Sequence, residues 1–199
     1  MNKREKTKEL IISKTKELLV ENANITIKDI ADACFINIAA VNYHFGSKEN
    51  LLSIVINDIV DDLKRGIFSE VNKMQFNTTT KESLAKMLEI IYQFTVENTG
   101  VIRYLFLNSD HQQSSTNILV QSFFTDNEFT RLVLNLIMES LNITDENIAY
   151  AKYMLLFSSF SIPLFIEITK STSDKKRIPS IESDDFREIY ISQVLNILN

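Results

Sequence analysis

Three glycines and two prolines in 199 residues leave this chain little material for tight reversals. Strands need such reversals, because β-turns draw on glycine and proline for their special backbone angles. Long helices joined by short links need few of them, so the expected fold class is all-α. The rest of the composition, 45% apolar and 24% charged, is that of an ordinary globular protein. A chain of this length buries roughly 70% of its extended surface, enough for a core without staples. Its single cysteine, Cys34, cannot close an intrachain disulfide, which fits a reducing compartment. The charged opening residues and spaced apolar positions behind them do not read as a signal peptide. No run of roughly 18 apolar residues is present, so a membrane-free, cytoplasmic protein is expected.

Apolar residues at helical spacing outline the elements. Residues 4–22 form a first helix with Leu10, Ile11, Thr15, Leu18 and Leu19 on one stripe. Thr26, with Asp29 three residues later, has the form of an acidic capping box that opens a short helix through Ile30, Ala31 and Ala33. Residues 35–37 read as a turn, and Asn37 caps a second short helix, 38–44, which Gly46 ends. Ser47 caps a long helix from 48 to about 73, with Leu52, Val55, Ile56, Ile59, Leu63, Ile67 and Val71 on one stripe. Further helices are expected over 81–98, after Gly100, over about 126–141, over 145–170 with a kink at Pro163, and over about 185–198. The stretch NSDHQQSST, 108–116, reads as a loop that gives His111 no role, and STSDKKRIPSIES, 171–183, as a flexible linker.

Two short helices joined by a three-residue turn make a helix-turn-helix, whose second helix enters the DNA major groove. Charge agrees in a minor way: residues 1–48 carry a net +2 and residues 49–199 a net −7. The segment TIKDIADACFINIAAVNYHFGSKENLL resembles, without gaps, the DNA-binding region of the TetR family of bacterial transcriptional regulators. The matching residues are Thr26, Ile30-Ala31, Asn37, Tyr43-His44-Phe45, Ser47-Lys48-Glu49 and Leu51-Leu52. The resemblance implies a three-helix DNA-binding helix-turn-helix domain over 1–46 and a larger helical effector-binding and dimerisation domain over 47–199. The chain departs from the family at Phe35, where the turn usually carries glycine. Phe35 is expected to anchor the turn in the core of the small domain, the alternative being a strained left-handed backbone.

Val41 and Phe45, four residues apart, are assigned to packing. By resemblance Tyr43 and His44, on the other side of the helix, donate to backbone phosphates, which positions the protein without reading sequence. Lys28 matches a family position that contacts DNA. Lys48 opens the long helix, where its charge and the free amides suit a phosphate. Asn42 is the best reader of sequence, since asparagine pairs bidentately with adenine. Ile38, Ala39 and Ala40 would meet thymine methyl groups or let the backbone approach. Thr26 and Asn37 complete the DNA-binding set as caps. Each has a plainer reading, as a half-buried tyrosine, a surface histidine or a solvated lysine. Lys3, Arg4, Lys6 and Lys8 could reach flanking phosphates, a solvated terminus being the plainer reading.

The remaining assignments follow from the resemblance. The last two helices of each subunit would form a four-helix homodimer bundle. Its faces are Ala149, Tyr153, Leu156, Phe160 and Leu164 on the first, and Phe186, Ile189, Tyr190, Val194, Ile197 and Leu198 on the second. Intramolecular core is the alternative. A two-fold dimer implies a palindromic double-stranded DNA operator. An unidentified small-molecule effector would sit among Met87, Tyr92, Phe94, Tyr104, Phe123, Phe124, Met154 and Phe157, residues that plain core would also explain. One cysteine, two separated histidines, and no HExxH, phosphate-loop or GxSxG motif leave no catalytic set, so neither an enzyme nor a metal or cofactor is expected. The reading is a sequence-specific DNA-binding regulator, a dimeric repressor released by a small apolar or amphipathic ligand. A helical small-molecule carrier with a vestigial DNA-binding domain, and a DNA-binding regulator controlled by a protein partner, are the alternatives.

Overall fold

The computed structural model describes residues 2–74, 78–107, 112–169 and 183–196. Among these, ten α-helices and no strands are present: α1 Lys3–Glu21, α2 Ile27–Ala33, α3 Ile38–Phe45, α4 Lys48–Met74, α5 Thr80–Glu97, α6 Thr99–Leu107, α7 Gln112–Phe123, α8 Glu128–Leu141, α9 Glu146–Thr169 and α10 Asp184–Leu195. The all-α expectation holds. One element differs: residues 112–116, read as loop, belong to α7. Gln, Ser and Thr are polar but none breaks a helix, and the run holds neither glycine nor proline. His111, Ile197, Leu198 and most of the expected linker lie outside the described residues.

The helices pack as two compact units. The first comprises Met1–Asp62 and Glu97–Gln121, the second Leu63–Val96 and Ser122–Asn199. In the first unit, Ile11, Leu19, Ile30, Val41, Leu51 and Val55 form a buried core. Thr15 is buried among them, and its hydroxyl donates to the Ile11 carbonyl at 2.7 Å, which satisfies a polar group that could not stay unpaired there. Lys16 of α1 reaches across to Asp58 at 2.5 Å and Asp62 at 3.0 Å, successive turns of α4. Cys34 is 4% exposed, with Sγ 3.9 Å from the Leu10 carbonyl oxygen. The expected α4 stripe is buried in full, from Leu52 to Val71.

The second unit is built on the later turns of α4 together with α5, α8, α9 and α10, with Ile67, Leu84, Leu88, Val133, Ile137 and Leu156 among its buried residues. Tyr153 donates its hydroxyl to the Phe123 carbonyl, and Thr130 donates to the same oxygen at 3.3 Å. The hydroxyls of Tyr92 and Tyr190 both donate to the Ser159 carbonyl, at 3.3 and 2.9 Å. Burial pushes the Tyr92 and Tyr153 hydroxyls well above the ordinary tyrosine range, so both stay protonated donors. Within α9, Glu146–Ile166 spans 21 residues at a mean hydropathy of 1.3, long and apolar enough to cross a bilayer by length and composition. One of its faces is taken up inside the unit by Ala149, Tyr153, Leu156, Phe160 and Leu164.

Candidate nucleic-acid interface

The α2–α3 pair is held by local hydrogen bonds that its sequence specifies. Thr26 accepts from the Asp29 amide at 3.1 Å, and the Asp29 carboxylate accepts from the Thr26 amide at 2.8 Å, a complete capping box. The Thr26 amide, and then its hydroxyl, hold the Asp29 carboxyl below the ordinary aspartate range. Asn37 accepts from the Ala40 amide at 2.7 Å and starts α3. Gly46, at φ 77°, ends α3 with its amide on the Asn42 carbonyl. Asn50 then ties the corner, donating to the Phe45 carbonyl at 2.8 Å while its amide donates to Ser47 Oγ at 3.1 Å.

The turn between the helices corrects the expectation for Phe35. Its side chain is 96% exposed, not an anchor in the core, and its φ is 55°. The cause is the way α2 ends. The Ile36 amide donates to the Ala31 carbonyl at 3.0 Å and the Phe35 amide to the Asp32 carbonyl at 3.1 Å. That bond pair is a Schellman motif, which demands a left-handed residue after the cap. Asn142 meets the same demand at the end of α8, with φ 52° and the matching Ile143-to-Met138 bond. Asparagine tolerates this conformation; a bulky phenylalanine is strained in it.

Val41 and Phe45 are 0% and 4% exposed, so they fix which side of α3 faces inward. Ile38, Ala39, Asn42 and Tyr43 are exposed, and their spacing places them on the opposite face. Ala40 and His44 are half-buried, and Thr26, Lys28 and Asn37 are exposed. Tyr43 is 70% exposed, and its ring meets the edge of His44 with centroids 5.4 Å apart. Lys48 is half-buried and donates to the Ile25 carbonyl at 3.3 Å. An ammonium has three donors, so this bond orients the lysine and leaves capacity for an anion. The α3 residues and Lys48 thus belong to one corner, with aliphatic, amide, phenolic, imidazole and ammonium groups at its surface.

The expected effector residues fall in both units. Tyr104 belongs to the first unit, where it is buried with no hydrogen-bond partner for its hydroxyl among the described residues. In the second unit Phe123, Phe124 and Phe157 come together, with Phe157 centroids 5.7 and 4.4 Å from the other two. Met87 and Tyr92 are buried in that unit, the Tyr92 ring 4.8 Å from Phe160, whose ring is 6.4 Å from Phe157; Phe94 is half-buried, and Met154 is 46% exposed on α9. A groove of the second unit between α5 and α10, lined by Lys81, Glu89 and Glu188, includes none of the eight.

The expected partner-facing residues divide between buried and exposed positions. Tyr153, Leu156, Phe160, Leu164 and Val194 are buried within the single chain. Phe186 and Tyr190 are half-buried, and Ile189 is 60% exposed. Ile148, Met154, Leu155, Ile162 and Phe165 are exposed apolar residues of α9. A helix apolar on almost every face does not announce which face turns inward.

Comparison with known proteins agrees with this geometry. Residues 11–54 match the family model described as bacterial regulatory proteins, tetR family. A TetR-family transcriptional regulator from Mesorhizobium loti superposes at a TM-score of 0.71, with 14% identity over 99% of this chain and 98% of its own. FadR from Bacillus subtilis, solved with stearoyl-CoA, gives 0.66 and 15% over 96% of each chain. RolR, solved with resorcinol, gives 0.62 and 16% over 98% of this chain and 88% of its own. At such identities the fold is what is shared. No protein with a curated description matches the chain in sequence. The chain therefore has the TetR-like fold, and its residues 11–54, which hold the helix-turn-helix, match the model of the tetR family of bacterial regulatory proteins.

Proposed function

We propose that the chain is a dimeric repressor that holds a palindromic operator through α3 and lets go when a small apolar or amphipathic molecule binds within residues 47–199. The observation that carries this reading is the exposed face of Ile38, Ala39, Asn42 and Tyr43 above buried Val41 and Phe45. Tyr43, His44, Lys28 and Lys48 would bind phosphates, which sets register and orientation. Asn42 would read adenine, and Ile38, Ala39 and Ala40 would meet thymine methyl groups. Residues 1–46 make the DNA-binding part of this proposal.

The uncovered apolar residues of α9, together with Ile189, support a second copy of the chain as partner. An exposed apolar patch on this scale marks an interaction surface, and a two-fold pairing presents two copies of α3 to a palindrome. FadR and RolR, of the same fold, were solved with a fatty acyl thioester and a phenol. Phe123, Phe124 and Phe157 supply an aromatic cluster suited to ligands of that character. Release would be a population shift: the effector binds one subunit arrangement better, and that arrangement binds DNA worse.

The test is fluorescence anisotropy on duplex DNA from upstream of the gene, titrated with salt. Tight binding that weakens steeply with salt and is lost in Tyr43→Ala/Lys48→Ala supports the reading. Absence of binding to any duplex sinks it.

A further inference from the structure

Two cations of α1 lie against aromatic rings of α3. The guanidinium carbon of Arg4 is 5.4 Å from the centre of the Tyr43 ring, and Lys8 Nζ is 5.8 Å from that of Phe45. The start of α1 is a formed helix end, since Asn2 accepts from the Arg4 amide and Glu5 accepts from the Asn2 amide in a capping box. Lys3, Arg4, Lys6 and Lys8 are all exposed, and among the described residues neither Arg4 nor Lys8 has a carboxylate partner. Lys14, further along the same helix, is paired with Glu17 at 2.7 Å. Lys3, Arg4, Lys6 and Lys8 against Glu5 and Glu9 leave a net +2 on the part of α1 nearest Tyr43, in a chain whose net charge is −5. Neither Arg4 nor Lys8 lies in the segment 11–54 that matches the family.

We infer that Arg4, positioned by the Tyr43 ring, is a phosphate-binding residue that extends the DNA interface from α3 onto α1, with Lys8 over Phe45 as a second cation. The inference rests on the DNA reading of α3. A guanidinium held over a ring by cation–π attraction keeps N–H donors for a planar or tetrahedral oxyanion. The ring also restricts a long side chain before DNA arrives, so less freedom is lost on binding. Such a contact strengthens binding to every sequence alike, because phosphates carry no base identity.

Phosphate contacts do not require the operator, so random-sequence duplex DNA is a sufficient probe. Binding would be measured against salt for the wild type, Arg4→Gln, Lys14→Gln, Tyr43→Phe, Tyr43→Leu, and Arg4→Gln combined with each Tyr43 variant. Circular dichroism would confirm that each variant keeps its helix content. Losing one phosphate contact lowers the slope of log K against log salt by about 0.9. Arg4→Gln should show that drop, and Lys14→Gln, which removes the same charge from the paired lysine, should not. The drop should persist on Tyr43→Phe, which keeps the ring, and shrink on Tyr43→Leu, which removes it. An unchanged slope in Arg4→Gln overturns the inference while the wild type's binding stands. An equal drop on all Tyr43 backgrounds overturns the positioning by Tyr43. A wild type with no salt-sensitive duplex binding overturns the DNA reading and this inference with it.

Discussion

The carbonyl oxygen of Leu19 fills the space into which a side chain at residue 100 would grow. A Cβ on Gly100 would stand 2.0 Å from that oxygen and 2.7 Å from the Asn22 amide nitrogen. Glycine is what lets α6 lie this close to the last turn of α1. Gly66, in the middle of α4, has nothing within 4 Å of the same position. Gly100→Ala should therefore destabilise the protein by roughly 1–3 kcal/mol through forced displacement of backbone. Gly66→Ala should stabilise it by about 0.5–1 kcal/mol, because alanine is the better helix former. Chemical denaturation of the two variants measures both, and a shared sign would contradict the close approach.

Relief of strain is the expectation at Phe35. Its exposed ring contributes almost no burial, while its left-handed backbone costs roughly 1–2 kcal/mol. Phe35→Gly should raise stability in urea by about 1 kcal/mol, part of the relief being offset by the freer unfolded chain. Phe35→Ala keeps the Cβ and should gain little. Equal stability of the glycine and alanine variants would show that the turn is unstrained.

The caps carry an acid signature. Thr26→Ala should cost about 1 kcal/mol, the usual loss at an N-cap. The Asp29 carboxyl is held low by the Thr26 amide and hydroxyl, and Glu82 in the same way by those of Thr79. A depressed folded pKa gives stability that is complete above the unfolded value, about 3.9 for aspartate and 4.3 for glutamate. It is lost as pH falls through the lower folded value. Asp29→Asn with Glu82→Gln should flatten the acid end of the stability profile, read by thermal melts across that range. A profile unchanged by the pair would mean the boxes open in solution.

Exposed and buried apolar residues of α9 should respond differently to charge. Ile162 and Phe165 are 66% and 54% exposed, whereas Leu156 is 2% exposed. Ile162→Asp and Phe165→Asp should leave the subunit folded and shift it to monomer in sedimentation experiments. Leu156→Asp should unfold it, since it buries an unpaired charge. A wild type that sediments as a monomer would remove the α9 face from the dimer proposal.

What could be read in advance was local. Thr26 with Asp29, Asn37 with Ala40, and the glycine at 46 act within four residues of themselves, so chain order alone identifies them. The α4 stripe was equally readable because a long helix with one wet side keeps a clean period. The start of α7 is not legible in the sequence because Gln112–Thr116 offers neither an apolar stripe nor a breaker, and polarity alone suggests a loop. At Phe35 the turn is legible, but its left-handed backbone stands only as the alternative, because it comes from the Ile36 and Phe35 amides choosing the Ala31 and Asp32 carbonyls. Which face of α9 turns inward is not legible in the sequence because nearly all its faces are apolar, so only packing distinguishes them. The placement of Arg4 over the Tyr43 ring joins residues far apart in the chain, and nothing in either neighbourhood announces it.

The chain's single thiol, 4% exposed at the end of α2, is a built-in stopwatch. An alkylating reagent reaches Cys34 only in the moments when this corner breathes, and burial further slows it by holding the sulfur in its unreactive protonated form. The labelling time therefore counts openings of the region that carries α3, with no introduced probe, and any ligand or duplex that steadies that corner must lengthen it.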